Sequence, residues 1–181
     1  MNGVCCIFFL TYAFLSWKFI VGGQANKLPR QSKKSTTLFC PGIPGAGKTI
    51  LATLVFDHPQ RNFQGRDVGV AFIYCDFRHR DDQAVDQLIG NLVKQLLSIK
   101  LPPLRAVGDL HSRYRAHQSR PSLNDLQNMF HAIAVVYKDG VFIVVHALDE
   151  CQNSNDTHSR FIKTLLSLHT GKSDFNILAT S

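Results

Sequence analysis

With 181 residues the chain is long enough for one α/β core and too short for two large domains. It is 45% hydrophobic and 18% charged, an ordinary balance for a globular protein. The net charge of +7 raises the question of nucleic acid, but many of the basic residues (Lys18, Lys27, Arg30, Lys33, Lys34, Lys48, Arg61 and Arg66) precede residue 71, against only Asp57 and Asp67. A solvated basic face accounts for that distribution better than a nucleic-acid groove, so no nucleic-acid partner is expected. The five cysteines (Cys5, Cys6, Cys40, Cys75 and Cys151) are odd in number and lack CxxC or Cys/His metal spacing, which argues against a disulfide framework and a zinc site and for a reducing, cytoplasmic setting.

Residues 1–35 read as an apolar segment followed by a basic linker. Val4 to Leu15 is almost wholly apolar and aromatic. No basic residue precedes it, as a signal peptide would require, and a span extended to Val21 would include Lys18. A signal or anchor, a helix packed on the domain and a misassigned gene start are the competing readings, with membrane association the less favoured. Asn155-Asp156-Thr157 is a glycosylation sequon that matters only if the chain is exported. Residues 22–35 (GGQANKLPRQSKKS) form the polar linker.

From residue 36 the element types alternate. Thr36 to Cys40 is a short strand, followed by a glycine-rich loop and a helix over Thr49 to Asp57. Val68 to Tyr74 (VGVAFIY) is a continuous apolar run with β-branched residues, as expected of a buried parallel strand. Ala84, Val85, Leu88, Ile89, Leu92, Val93, Leu96 and Leu97 mark one face of a helix that ends before Pro102-Pro103. A helix follows over Leu104 to Ala116, then another over Leu123 to Tyr137, with Ser122 as N-cap and Asp125 three residues on. Val141 to Val145 is a second buried strand, Thr157 to Leu168 an amphipathic helix, and Phe175 to Ala179 a last strand. Strands separated by helices imply a parallel sheet in a three-layer α/β domain over 36–181, with ligands at the carboxyl ends of the strands.

Gly42-Ile43-Pro44-Gly45-Ala46-Gly47-Lys48-Thr49 fits GxxxxGK[ST] between strand and helix, the context the phosphate-binding mechanism needs. Backbone N–H groups must wrap a triphosphate, and a Cβ at the glycine positions would block that approach. Lys48 then reaches the β- and γ-phosphates, and the Thr49 hydroxyl is placed to join the shell of Mg²⁺. A second motif, His146-Ala147-Leu148-Asp149-Glu150, follows the VFIVV strand. A carboxylate at such a strand end helps hold Mg²⁺, and a further acidic residue orients the attacking water. Asp149 and Glu150 are the candidate catalytic pair, Asp149 with Thr49 the candidate metal ligands. A solvated acidic turn is the competing explanation for the pair.

Together, FCPGIPGAGKTILATLVFDH, VGVAFIYCDFR and VFIVVHALDECQ resemble the NACHT-type P-loop NTPases of the STAND group, and most of all the nephrocystin-3-like N-terminal modules found in fungal repeat proteins. The resemblance spans about residues 36 to 181. It implies a parallel-sheet P-loop core that binds ATP or ADP and serves as a switch between a closed monomer and a signalling oligomer. By motif, Gly42, Gly45, Gly47, Lys48 and Thr49 would form the phosphate site, and Asp149 and Glu150 the distal acidic pair.

Two departures bear on function. The family's Walker B aspartate falls on His146, and neutral imidazole is a poor ligand for the hard Mg²⁺ ion. Nucleotide binding with slow hydrolysis and binding without turnover therefore both stand, beside a degenerate remnant. The chain also stops after the fourth strand, where comparable chains continue. The implied domain is C-terminally incomplete, with its phosphate-loop strand at a sheet edge, and its partners would be further domains of a longer parent or copies of itself. Asp76, at the end of its strand, either faces the nucleotide or caps a turn. Arg78-His79-Arg80 reads as a solvated loop, and His111, His117, His131, His158 and His169 show no ligand spacing.

Overall fold

The computed structural model describes residues 36–62, 67–76, 84–99, 108, 114, 120–151, 156–169 and 175–181. The apolar segment and linker, the Arg78-His79-Arg80 cluster and nearly all of the helix expected over 104–116 lie outside them.

The elements are β1 (Thr36–Cys40), α1 (Lys48–Asn62), β2 (Gly69–Tyr74), α2 (Val85–Ile99), α3 (Leu123–Ala134), β3 (Val141–His146), a 3₁₀ turn (Leu148–Glu150), α4 (Thr157–His169) and β4 (Phe175–Thr180). The four strands form one parallel sheet in the order β1-β4-β3-β2. Burial follows that order. β3, in the interior, is buried at every position, whereas the edge strands β1 and β2 expose Phe39 and Tyr74.

Side chains alternate between the faces of a strand, and the two cores divide accordingly. Ala71, Ile73, Val141, Ile143, Val145, Phe175, Ile177 and Ala179 point to the face covered by α2, α3 and α4. Phe142, Val144, Leu178 and Cys40 point to the other, where Leu51, Ala52 and Val55 of α1 pack. This is a three-layer α/β domain. Continued along β3 and β4, the same alternation delivers His146 and Thr180 to the α1 face.

Two helices differ in extent from the sequence reading. α1 runs to Asn62 rather than Asp57, because the apolar pattern marks the packed turns and not the whole helix. α3 stops at Ala134 rather than Tyr137. Val136 and Tyr137 donate to the carbonyls of Ile133 and Ala134 in tightened turns, and Gly140 at φ 97° completes the reversal into β3. Tyr137 remains buried because its ring folds back on α2, where its hydroxyl donates to the Leu96 carbonyl at 2.5 Å. The α3 start is as expected: Ser122 Oγ accepts from the Asp125 N–H, and the Asp125 carboxylate accepts from the Ser122 N–H at 3.2 Å.

Among the described residues one side chain caps the outer edge of β2 at its middle, Phe72. Residues Gly69, Ala71, Ile73 and Cys75 direct their N–H groups towards β3, so the backbone groups of Phe72 point away from the sheet. Gln95 of α2 satisfies both, accepting from the Phe72 N–H at 2.9 Å and donating to its carbonyl at 2.7 Å. The amide thus substitutes for a neighbouring strand. Gln95→Leu keeps the bulk and removes both bonds, and should lower unfolding free energy by about 1–3 kcal/mol in urea denaturation. A loss within ~0.5 kcal/mol would mean that water replaces the amide at no cost.

On the α2–α4 face no described helix covers the flank of β1. Phe39, Ile177, Ala179, Ile162, Leu165 and Leu148 line an apolar groove of about 380 Å³ there.

Candidate functional site

The loop after β1 is held open by its backbone. Gly45 and Gly47 sit at φ 81° and 83°, a region that costs any residue with a Cβ. At Gly42 an added Cβ would stand 3.4 Å from Cδ of Lys48, in contact with the stem of the side chain that serves the loop. The loop is pinned at its start by β4, since Gly42 N–H donates to the Ser181 carbonyl at 3.0 Å. At its end, Leu51 N–H donates to the Gly47 carbonyl as the first helical bond of α1. The amides of the first helical turn have no intrahelical partner, and that turn carries no acidic residue. Loop amides, the positive end of the α1 dipole and the Lys48 ammonium therefore converge on one anion-binding concavity. Lys48 Nζ donates to the carbonyl oxygens of Gly42 and Ile43, which keeps the ammonium at the mouth of the loop.

His146 is the last residue of β3, still in register with Tyr74, and not the first residue beyond the strand. Its imidazole is buried between the strand ends and α1. Nδ1 lies 2.7 Å from Thr180 Oγ, and Nε2 lies 3.1 Å from Thr49 Oγ. The Tyr74 ring covers it at a centroid distance of 5.3 Å. Burial pushes the imidazole below its ordinary pKa. Glu150 pulls it back up, Lys48 pushes it down further, and Asp149 gives a lesser upward pull. With burial the largest effect, the ring is neutral at pH 7.

Ala147 adopts a left-handed backbone (φ 56°, ψ 49°), which turns the chain from β3 into the 3₁₀ turn of Leu148-Asp149-Glu150. Its N–H donates to Thr180 Oγ at 3.3 Å. The turn divides the expected acidic pair. Glu150 is half-buried and is the stronger of the two in its effect on His146, whereas Asp149 is exposed and lines the apolar groove beside Phe39 and Ala179. Beneath the turn, Cys75 and Cys151 are buried together as free thiols. Their mutual hydrogen bond, then burial, then the nearby negative charge of Cys151, Asp149 and Glu150 raise the Cys75 pKa far above its ordinary value and keep it protonated and inert. Cys40, also buried, is likewise raised by its burial, and both Cys40 and Cys75 serve as small core residues.

Of the sequence-predicted residues, the structure thus gathers Gly42 to Thr49 around the anion concavity and brings His146 against Thr49. Thr180 was not anticipated. Its only sequence signal is a polar residue at the end of a buried strand, at the position that alternation assigns to the α1 face.

A family model described as nephrocystin 3, N-terminal, matches residues 19–181. The chain belongs to this family. No curated protein matches it. Solved structures similar to this nephrocystin-3 N-terminal domain include the Aeropyrum pernix ORC2 protein in ADPNP–ADP complexes, at 14% identity and a TM-score of 0.56, covering 95% of this chain and 40% of that one. The Aeropyrum pernix ORC1 protein in complex with DNA is similar at 14% identity and a TM-score of 0.55, covering 95% and 38%. These likenesses show a P-loop ATPase type of fold. The nephrocystin-3 N-terminal chain spans about two fifths of the length of those proteins.

P-loop NTPases hold Mg²⁺ through the loop Ser/Thr hydroxyl and a carboxylate at a strand end. In this nephrocystin-3 N-terminal domain the strand end carries imidazole, already bonded to the Thr49 hydroxyl. Thr49 and Asp149, the expected ligand pair, look to different sides of the sheet: Thr49 to His146 on the α1 side, Asp149 to the groove on the other. Among the described residues no cluster of three His, Cys, Asp or Glu side chains is placed to hold a metal. With imidazole where a strand-end carboxylate would stand, this donor set fits Mg²⁺ poorly, because that hard ion takes oxygen ligands. Nor is any described helix long and apolar enough to cross a membrane.

Proposed function

We propose that this chain is an ATP- or ADP-binding switch module of NACHT type, the nucleotide-responsive part of a longer signalling protein. The observation that carries the reading is the loop of Gly42 to Thr49, with two left-handed glycines, an N-terminal helical turn free of acid and Lys48 at its mouth. That arrangement neutralises phosphate charge with fixed dipoles and one ammonium. The family match supports it, and so does the nucleotide in the ORC2 structure, whose fold is similar. Signalling, self-association and contact with further domains are inferred from the NACHT resemblance. The test is calorimetric titration of the full chain with ATP and with ADP; a folded sample that takes up neither would end the reading.

Binding without efficient turnover is favoured over hydrolysis, because His146 stands where the chemistry calls for a carboxylate. Any residual turnover falls to Glu150, whose charge acts the more strongly on His146, with Asp149 as the alternative. Glu150→Gln combined with Asp149→Asn should reduce the rate of phosphate release by about 10²-fold. An undiminished rate in the double variant would remove both from the chemistry.

A further inference from the structure

We infer that this site takes its nucleotide without a metal ion, the His146 imidazole, oriented by Thr180, standing against Thr49 in the place of Mg²⁺. The inference rests on the nucleotide-binding reading above and concerns the form in which the nucleotide enters: the metal-free di- or triphosphate.

The argument starts from Thr180. Its hydroxyl is fully buried and carries one proton and two lone pairs. It accepts from the Ala147 N–H at 3.3 Å and lies 2.7 Å from His146 Nδ1. With Ala147 as donor, the arrangement that satisfies the buried hydroxyl is donation of its own proton to Nδ1. Nδ1 is then the acceptor nitrogen, and Nε2 carries the ring proton. Nε2–H therefore donates to Thr49 Oγ at 3.1 Å, engaging a lone pair on the oxygen a metal would need.

Two consequences follow for a ligand. A cation bound at Thr49 would face an N–H donor and Lys48 with no anionic ligand from the end of β3, whereas a phosphate oxygen there meets donors from Lys48, the loop amides and the Thr49 hydroxyl, whose proton the bond from Nε2–H leaves to give. Second, the ring cannot swing aside to admit a metal. Thr180 holds one nitrogen, Tyr74 covers the ring, and the left-handed turn at Ala147 fixes the strand end. Thr180 is therefore a positioning residue: it touches no phosphate and acts by setting which nitrogen of His146 is the donor.

The test is titration of the full chain with ATP in Mg²⁺ and in excess chelator. The two Kd values should agree within about threefold, and His146→Asp should restore a preference for Mg²⁺ of about tenfold or more. Binding that appears only with Mg²⁺ overturns this inference and leaves the nucleotide reading intact, whereas a folded chain that binds in neither condition overturns both. Nitrogen NMR of the His146 ring supplies a readout that needs no nucleotide. The expected spectrum has the proton on Nε2, and Thr180→Val should shift the tautomer population; a wild-type ring protonated at Nδ1 overturns the role given to Thr180.

Discussion

Lys48→Ala should abolish measurable ATP and ADP binding, raising Kd by about 10²-fold or more. The side chain holds its ammonium at the mouth of the loop, and each charge-assisted hydrogen bond to a phosphate oxygen contributes about 1.5–3 kcal/mol. In a site without a metal ligand set, the Lys48 ammonium carries the full positive charge offered to the β- and γ-phosphates by the described loop. The loss should therefore exceed that of a site in which Mg²⁺ shares the load. Lys48 packs at the surface of α1 and belongs to neither core, so the variant should melt within a few degrees of the wild type, which separates a lost ligand contact from a lost fold. Calorimetry beside thermal melting gives both readings. Affinity unchanged in a folded Lys48→Ala chain would mean that the loop does not hold phosphate.

The largest effect on stability is expected at Phe130. Its ring is fully buried, meets Phe175 of β4 edge-on at 5.5 Å and 77°, and joins α3 to the centre of the sheet. Phe130→Ala removes that edge-to-face contact and leaves a cavity under α3, a loss of about 3–5 kcal/mol. Against a typical domain stability of about 5–15 kcal/mol this is enough to leave the chain marginal. Phe130→Leu keeps most of the volume and should cost less, about 1.5 kcal/mol. Urea denaturation of the pair measures the difference, and equal stabilities would show that the α3 contact does not bear on the core as described. Phe130 lies on the face away from the phosphate loop, so Phe130→Leu should bind nucleotide with unchanged Kd.

Much of this architecture was readable from residue order because two periodicities carried it. The buried strands Val68 to Tyr74 and Val141 to Val145 are continuous apolar runs, and the α2 pattern from Ala84 to Leu97 repeats at helical spacing. Each expected strand and helix that falls on described residues began within one residue of its expected place. The misses were at ends, where local signals compete. Tyr137 extended the apolar pattern of α3 although the chain had already left the helix, since its burial comes from reaching across to Leu96. The turns beyond Asp57 in α1 carried no apolar mark. Gln95, the residue that caps the β2 edge at Phe72, looks in sequence like any polar position on an amphipathic helix.

What the sequence determined by itself is the phosphate loop and the parallel α/β type of the domain, because backbone conformation at Gly45 and Gly47, the charge of Lys48 and hydrophobic periodicity are local properties that residue identity dictates. It also showed that His146 stands at an acidic position. Only the tertiary structure decided what that histidine touches. Its partners, Thr49 and Thr180, lie 97 and 34 residues away and meet it because strand order and side-chain alternation bring three elements together at one end of the sheet. The separation of Asp149 from Glu150 was likewise a tertiary outcome: adjacent in sequence, they differ because a left-handed residue and a 3₁₀ turn leave Asp149 exposed along the groove and Glu150 half-buried.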